Sequence, residues 1–166
     1  MRRYPYFKPE TDDNGFAPSP LSMTVERVCR FEEVDVLGVA WHGRYASYFE
    51  DARLALGEKY GFGYEALHAQ GVITPVKQFH VEYLLPLLFN RKYLVTADMH
   101  WTRAARMNIT YCIRDAEGAL CTTGYTVQLF LTLEKEVCMA QPEFFAGFCE
   151  RWRQGMFEGI REGARD

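Results

Sequence analysis

Several things are missing from this chain of 166 residues, and each absence narrows the reading. No run of 18 apolar residues occurs, so no transmembrane helix is expected and a membrane role is set aside. The first 20 residues begin with two arginines but hold no apolar core, which speaks against a secretory leader. A strong charge of one sign is absent too. The formal net charge is −3, which gives no electrostatic footprint for nucleic acid. The five cysteines, Cys29, Cys112, Cys121, Cys138 and Cys149, are odd in number and form no Cys-x-x-Cys pair. Free thiols in a reducing, cytoplasmic setting are therefore expected. The four histidines, His42, His68, His80 and His100, show no ligand spacing, so no metal is expected, and the residues call for no organic cofactor.

Hydrophobic residues make up 48% of the chain and aromatics 15%, enough for a substantial core in one domain. Residues 1–20 carry four of the seven prolines and no periodicity; a flexible or draped tail is expected there. A first strand is expected over 22–31, followed by a loop over 32–41 that turns at Gly38. From Gly43 the spacing of Tyr45, Tyr48, Phe49, Ala52 and Leu56 places five apolar side chains on one helical face. That helix should end near Tyr60, with a short second helix over 64–70.

Beyond Gly71 the period becomes two. Strands are expected over 75–86, 92–103, 107–114 and 119–133, with apolar faces led by Phe79, Val81 and Tyr83, then Val95, Ala97 and Met99, then Ile109 and Tyr111, then Tyr125, Val127 and Leu129. Asp115-Ala-Glu-Gly118 is a hairpin signal, and the short connections argue for antiparallel neighbours. The expected fold class is α+β: a sheet of about five antiparallel strands wrapped around one long central helix. A further helix is expected over 142–157, with Phe144, Phe145, Phe148 and Trp152 as its stripe. The domain should cover 21–135 and a helical extension 136–166.

The order strand, loop, long helix and four strands resembles the hotdog fold. Asp35-Val-Leu-Gly38-Val-Ala-Trp-His42-Gly-Arg-Tyr45 resembles the Asp-x-x-Gly segment of the 4-hydroxybenzoyl-CoA thioesterase family and its acyl-CoA thioesterase relatives. Phe79-His-Val-Glu-Tyr83-Leu-Leu-Pro86 is similar to that family's second strand. The resemblance implies an acyl-CoA thioester as substrate, Asp35 as nucleophile or general base, and the backbone N–H of His42 as oxyanion hole. It also implies edge-to-edge subunit pairing, hence a homodimer or homotetramer with sites at the interface. Gly38 and Tyr45 fall within the substrate-binding segment. Arg103 and Arg106, in the turn between two strands, are candidate contacts for the CoA phosphates, with Arg91 and Lys92 as a second pair.

The same residues have plainer uses. Asp35 could only cap a turn, and His42 could only begin a helix. Glu50, on the central helix, is a rival carboxylate. Glu33 reads as an exposed loop acid, and His80 and Glu82 as solvated or interface residues. Phe31 stands where several relatives of the resemblance carry Tyr, so a non-catalytic acyl-thioester binding module on the same fold is the alternative function.

Overall fold

The period-two alternation beyond Gly71 corresponds to real strands, but their order in space is not their order in the chain. The computed structural model describes residues 6–158. Its main sheet contains β1 (Leu21–Val28), β3 (Val76–Tyr83), β4 (Lys92–His100), β5 (Arg106–Asp115) and β6 (Leu120–Leu129), after a two-residue strand β2 (Val72–Ile73). The order across the sheet is β1-β4-β5-β6-β3, and every pairing is antiparallel. The strands β3 and β4, consecutive in sequence, are thus not neighbours, which corrects the expectation drawn from their short connection. The short strand β7 (Leu131–Thr132) pairs with β2 in a separate ribbon.

The central helix α1 (Tyr45–Tyr60) lies against this sheet and contacts β1 and β4. Its five expected apolar residues are all buried. Burying a side chain such as Phe49 or Leu56 contributes roughly 1.5–3 kcal/mol, so this one face supplies a large share of the core. Helix α1 stops at Gly61, whose φ of +79 suits a residue without a Cβ. A short helix α2 (Tyr64–Ala69) follows, and α3 (Glu143–Arg153) packs Phe145, Phe148, Cys149 and Trp152 against the body. Sheet and central helix together form the hotdog arrangement.

On β6 the expected face is reversed. Thr122, Gly124 and Thr126 face α1: the Phe49 ring stacks on Tyr111 at 4.4 Å, and the Tyr111 hydroxyl meets Thr126 Oγ1 at 3.1 Å. A Cβ on Gly124 would overlap the His80 carbonyl and approach the Phe49 ring to 2.5 Å, so glycine is what lets the helix come this close. Tyr125 and Val127 lie on the opposite face, where Tyr6 and Phe7 cover them.

Residues 6–20 form no helix or strand and run across the body through specific contacts. Tyr6 bonds Thr123 at 2.8 Å, Glu10 accepts from Thr102 at 2.9 Å, and Asp12 accepts from Arg153 at 3.0 Å. Among the described residues all five cysteines are free, no group of side chains could hold a metal ion, and no helix is long and apolar enough to cross a membrane.

Candidate active site

The site is built on a hairpin between β1 and α1. Val34 bridges to Ala40 and Val39 to Leu88. The Asp35 N–H donates to Val39 O at 2.9 Å and the Gly38 N–H to Asp35 O at 3.0 Å. Gly38 has φ +74, a conformation that costs glycine least. Asp35 Oδ1 accepts the Leu37 N–H at 2.8 Å, a turn closed by its own first side chain. Among the described residues, Oδ2 has no partner. Val36 and Leu37 at the tip are among the most exposed apolar side chains of the protein.

Two residues past Ala40 the chain enters a 3₁₀ turn, His42–Arg44, that runs directly into α1. No side chain caps either helical start. The Arg44 N–H returns to Trp41 O at 2.8 Å, while the N–H groups of His42 and Gly43 have no acceptor among the described residues. Unpaired N–H groups at a helix start, at the positive end of its dipole, attract negative charge. A Cβ on Gly43 would overlap the Trp41 indole, so glycine permits the Trp41 ring to lie over the turn.

Asp35 and His42 thus sit on one short hairpin, and Tyr45 is buried at the first turn of α1. Tyr83, quoted above only as part of a strand motif, closes the group. Its hydroxyl donates to the His42 carbonyl at 3.0 Å, and its ring meets Tyr45 edge-on at 4.7 Å. The end of β3 is thereby tied to the mouth of the helix.

Glu33 is the main departure from expectation. Far from being an exposed acid, it is only 4% exposed. It accepts from Arg27 at 2.8 Å, from the Arg30 N–H at 2.7 Å and from the Tyr48 hydroxyl at 3.1 Å, and its carbonyl accepts the Trp41 N–H at 2.8 Å. The guanidinium of Arg27 also lies over the Tyr48 ring and pairs with Asp51. Burial, together with the neighbouring Cys29 thiol and Glu33 carboxylate, raises the Tyr48 pKa, so Tyr48 stays a neutral donor. This network anchors both arms of the Asp35 hairpin to β1 and α1.

The rival carboxylate Glu50 is engaged elsewhere: Arg53 donates to it at 2.7 and 3.1 Å and the Tyr64 hydroxyl at 2.7 Å. Arg53 is buried by this pairing and by the Tyr64 ring beneath its guanidinium. Arg103 pairs with Asp13 at 2.8 Å, and Arg106 lies 4.0 Å from Glu10. Both follow the His100 end of β4, whereas the hairpin follows Val28, which pairs with Lys92 at the other end. At about 3.3 Å per residue the strand separates them by roughly 25 Å, so one protomer does not bring them together with Asp35. The exposed Arg91 stands at the Asp35 end.

Comparison with known proteins agrees with the fold. The profile of the thioesterase-like superfamily matches residues 29–148, and the chain belongs to that superfamily. The Bacillus subtilis protein YneP, described as a candidate acyl-CoA thioesterase, is 32% identical over 66 residues, covering 40% of this chain and 48% of that relative. The Escherichia coli acyl-CoA thioester hydrolase YbgC is 28% identical over 90 residues, 54% of this chain and 67% of its own length. The chain thus spans from about half to two thirds of these relatives. Among solved structures, the DHNA-CoA thioesterase from Staphylococcus aureus superposes with a TM-score of 0.73 at 28% identity, covering 85% of this chain and 97% of its own.

Proposed function

We propose that the protein hydrolyses an acyl-CoA thioester. The observation that carries this reading is the carboxylate of Asp35 on an anchored hairpin that leads straight into a helix start with unpaired N–H groups. Relatives named as acyl-CoA thioester hydrolases support it. In one course, Asp35 Oδ2 takes a proton from water as the water oxygen bonds the thioester carbon. The carbonyl oxygen becomes an oxyanion held by the His42 N–H, a contribution of roughly 3 kcal/mol for such a donor. The C–S bond then breaks, and the departing thiolate takes the proton from Asp35. In the other course, Asp35 itself bonds the carbon, the thiolate leaves, and water opens the mixed anhydride.

The site is completed by a second copy. Among the described residues, strand β3 is an edge of the sheet with one side unpaired, and it exposes Val76, Phe79 and Tyr83. An open apolar edge calls for a partner. Antiparallel pairing of β3 with its copy sets the Tyr83 end of one protomer, with its hairpin, beside the Val76 end of the other. For the CoA phosphates, Arg91 is the nearer cation within the protomer, while Arg103 and Arg106 would have to exchange Asp13 and Glu10 for phosphate.

The Oδ1 bond to Leu37 favours a second reading, in which Asp35 only shapes its turn and the protein binds acyl thioesters without cleaving them. Thiol release from a panel of acyl-CoA substrates decides between the two. Asp35→Asn is the informative variant, because asparagine can make the same turn bond and lacks only the charge.

A further inference from the structure

Between α2 and the segment 72–76 runs a groove of about 620 Å³. Leu67, Ala69, Val72, Ile73, Pro75 and Val76 supply its aliphatic walls. The charged and imidazole groups beside it, Glu65 and His68, are exposed to water. Thr74 also lines it, but its hydroxyl is sealed from solvent and has no hydrogen-bond partner among the described residues. The ring of Tyr64 completes the lining, so a ligand lying in this open groove meets a mainly apolar wall.

We propose that this groove takes a long, unbranched aliphatic acyl chain, of about ten carbons or more. An apolar cavity of about 150 Å³ holds one benzene ring, and this groove has roughly four times that space. A single aromatic ring would leave most of it empty, and the aliphatic walls offer little to the hydroxyls of a substituted ring. A flexible chain can fill it, and each added methylene should strengthen binding about three- to fourfold.

The assignment rests on the thioesterase reading and on the pairing of β3 with a second copy. Within one protomer the groove lies at the Val76 end of β3 and the Asp35 hairpin at the Tyr83 end, roughly 20 Å away along the strand. Across the paired edges the groove of one protomer faces the hairpin of the other, so a thioester can reach Asp35 of one chain with its acyl tail in the next.

The test separates binding from turnover. Full-length Asp35→Asn protein is titrated calorimetrically with butanoyl-, octanoyl-, lauroyl-, benzoyl- and naphthoyl-CoA. Lauroyl-CoA is expected to bind at least 100-fold tighter than butanoyl-CoA, and tighter than either aromatic thioester. Adding Ala69→Trp fills the groove from an exposed helix position, and Ala69→Glu places a charge there. Each should flatten the chain-length series toward the butanoyl-CoA value. A flat series in the Asp35→Asn protein, tighter aromatic binding, or a rise that survives both Ala69 variants would overturn the assignment. Chain-length-dependent binding by a wild-type protein that cleaves nothing would uphold the groove and remove the thioesterase reading. Turnover confined to aromatic or short acyl groups would do the reverse.

Discussion

The hydroxyl of Tyr83, on the edge strand, donates to the backbone carbonyl of His42 across 41 residues of chain at 3.0 Å. The N–H groups of His42 and Gly43, which have no acceptor among the described residues, belong to the same turn. Tyr83 therefore fixes the angle at which the helix start is presented, and it does so from the strand where a second copy would dock. Replacing Tyr83 by Phe removes one hydrogen bond, a net contribution of about 1 kcal/mol. Steady-state kinetics should show kcat lowered about five- to tenfold, with thermal stability little changed.

The Glu33 carboxylate holds the hairpin from below. It and Arg27 have side chains only 5% and 15% exposed, so removing Glu33 leaves Arg27 with Asp51 as its remaining acidic partner and strips the Tyr48 hydroxyl and the Arg30 N–H of their acceptor. Glu33→Ala should destabilise the protein by about 3 kcal/mol in urea unfolding. Glu33→Gln should cost less, because an amide oxygen can still accept from Tyr48 and from the Arg30 N–H.

Gly124 lies directly against the Phe49 ring of α1. Gly124→Ala drives a methyl into the Phe49 ring and the His80 carbonyl. Overpacking of this kind costs about 1–3 kcal/mol, and backbone on one side leaves little room to relax. A lowered urea midpoint and a weakened near-ultraviolet signal from the aromatic core are expected.

His100 carries a pH dependence. It is partly buried beside Phe7 and bonded to Thr110 at 2.8 Å. Burial lowers its pKa below the usual 6.5, against the opposing effect of Asp98. A histidine with a depressed folded pKa takes up its proton more readily in the unfolded chain. Its contribution is thus fully present above the unfolded value of about 6.5 and is lost as pH falls below it. The melting temperature should drop between pH 7 and 5, and His100→Gln should flatten that slope.

How much of this was legible in the sequence depends on the range of the interactions involved. The α1 stripe from Tyr45 to Leu56 and the alternation along β4 are local periodicities, and they mark the faces that are buried; on β5 both faces are buried, Asn108 and Thr110 as fully as Ile109 and Tyr111. The alternation on β6 shows equally well that two faces differ, but not which one meets the helix. Tyr125 and Val127 point away from α1 because Tyr6 and Phe7, more than a hundred residues earlier, provide a second apolar cover. Gln128 is buried with neither side-chain polar atom paired among the described residues, and we have no physical account of it. The spacing of Asp35, Gly38 and His42 was readable because the hairpin is short and its turn needs a glycine. The buried state of Glu33 was not, since its partners Arg27 and Tyr48 converge from a strand and a helix. Likewise, nothing local tells that Arg103 already has a carboxylate partner in Asp13.

The most direct test of the central claim follows thiol release from the preferred acyl-CoA by wild type and Asp35→Asn, side by side, with binding of the same thioester measured on both. Loss of the carboxylate charge with the turn bond preserved should lower kcat by about a thousandfold, while the dissociation constant changes less than threefold. Turnover by Asp35→Asn within tenfold of wild type would contradict the assignment of Asp35 as the group that activates water or attacks the thioester.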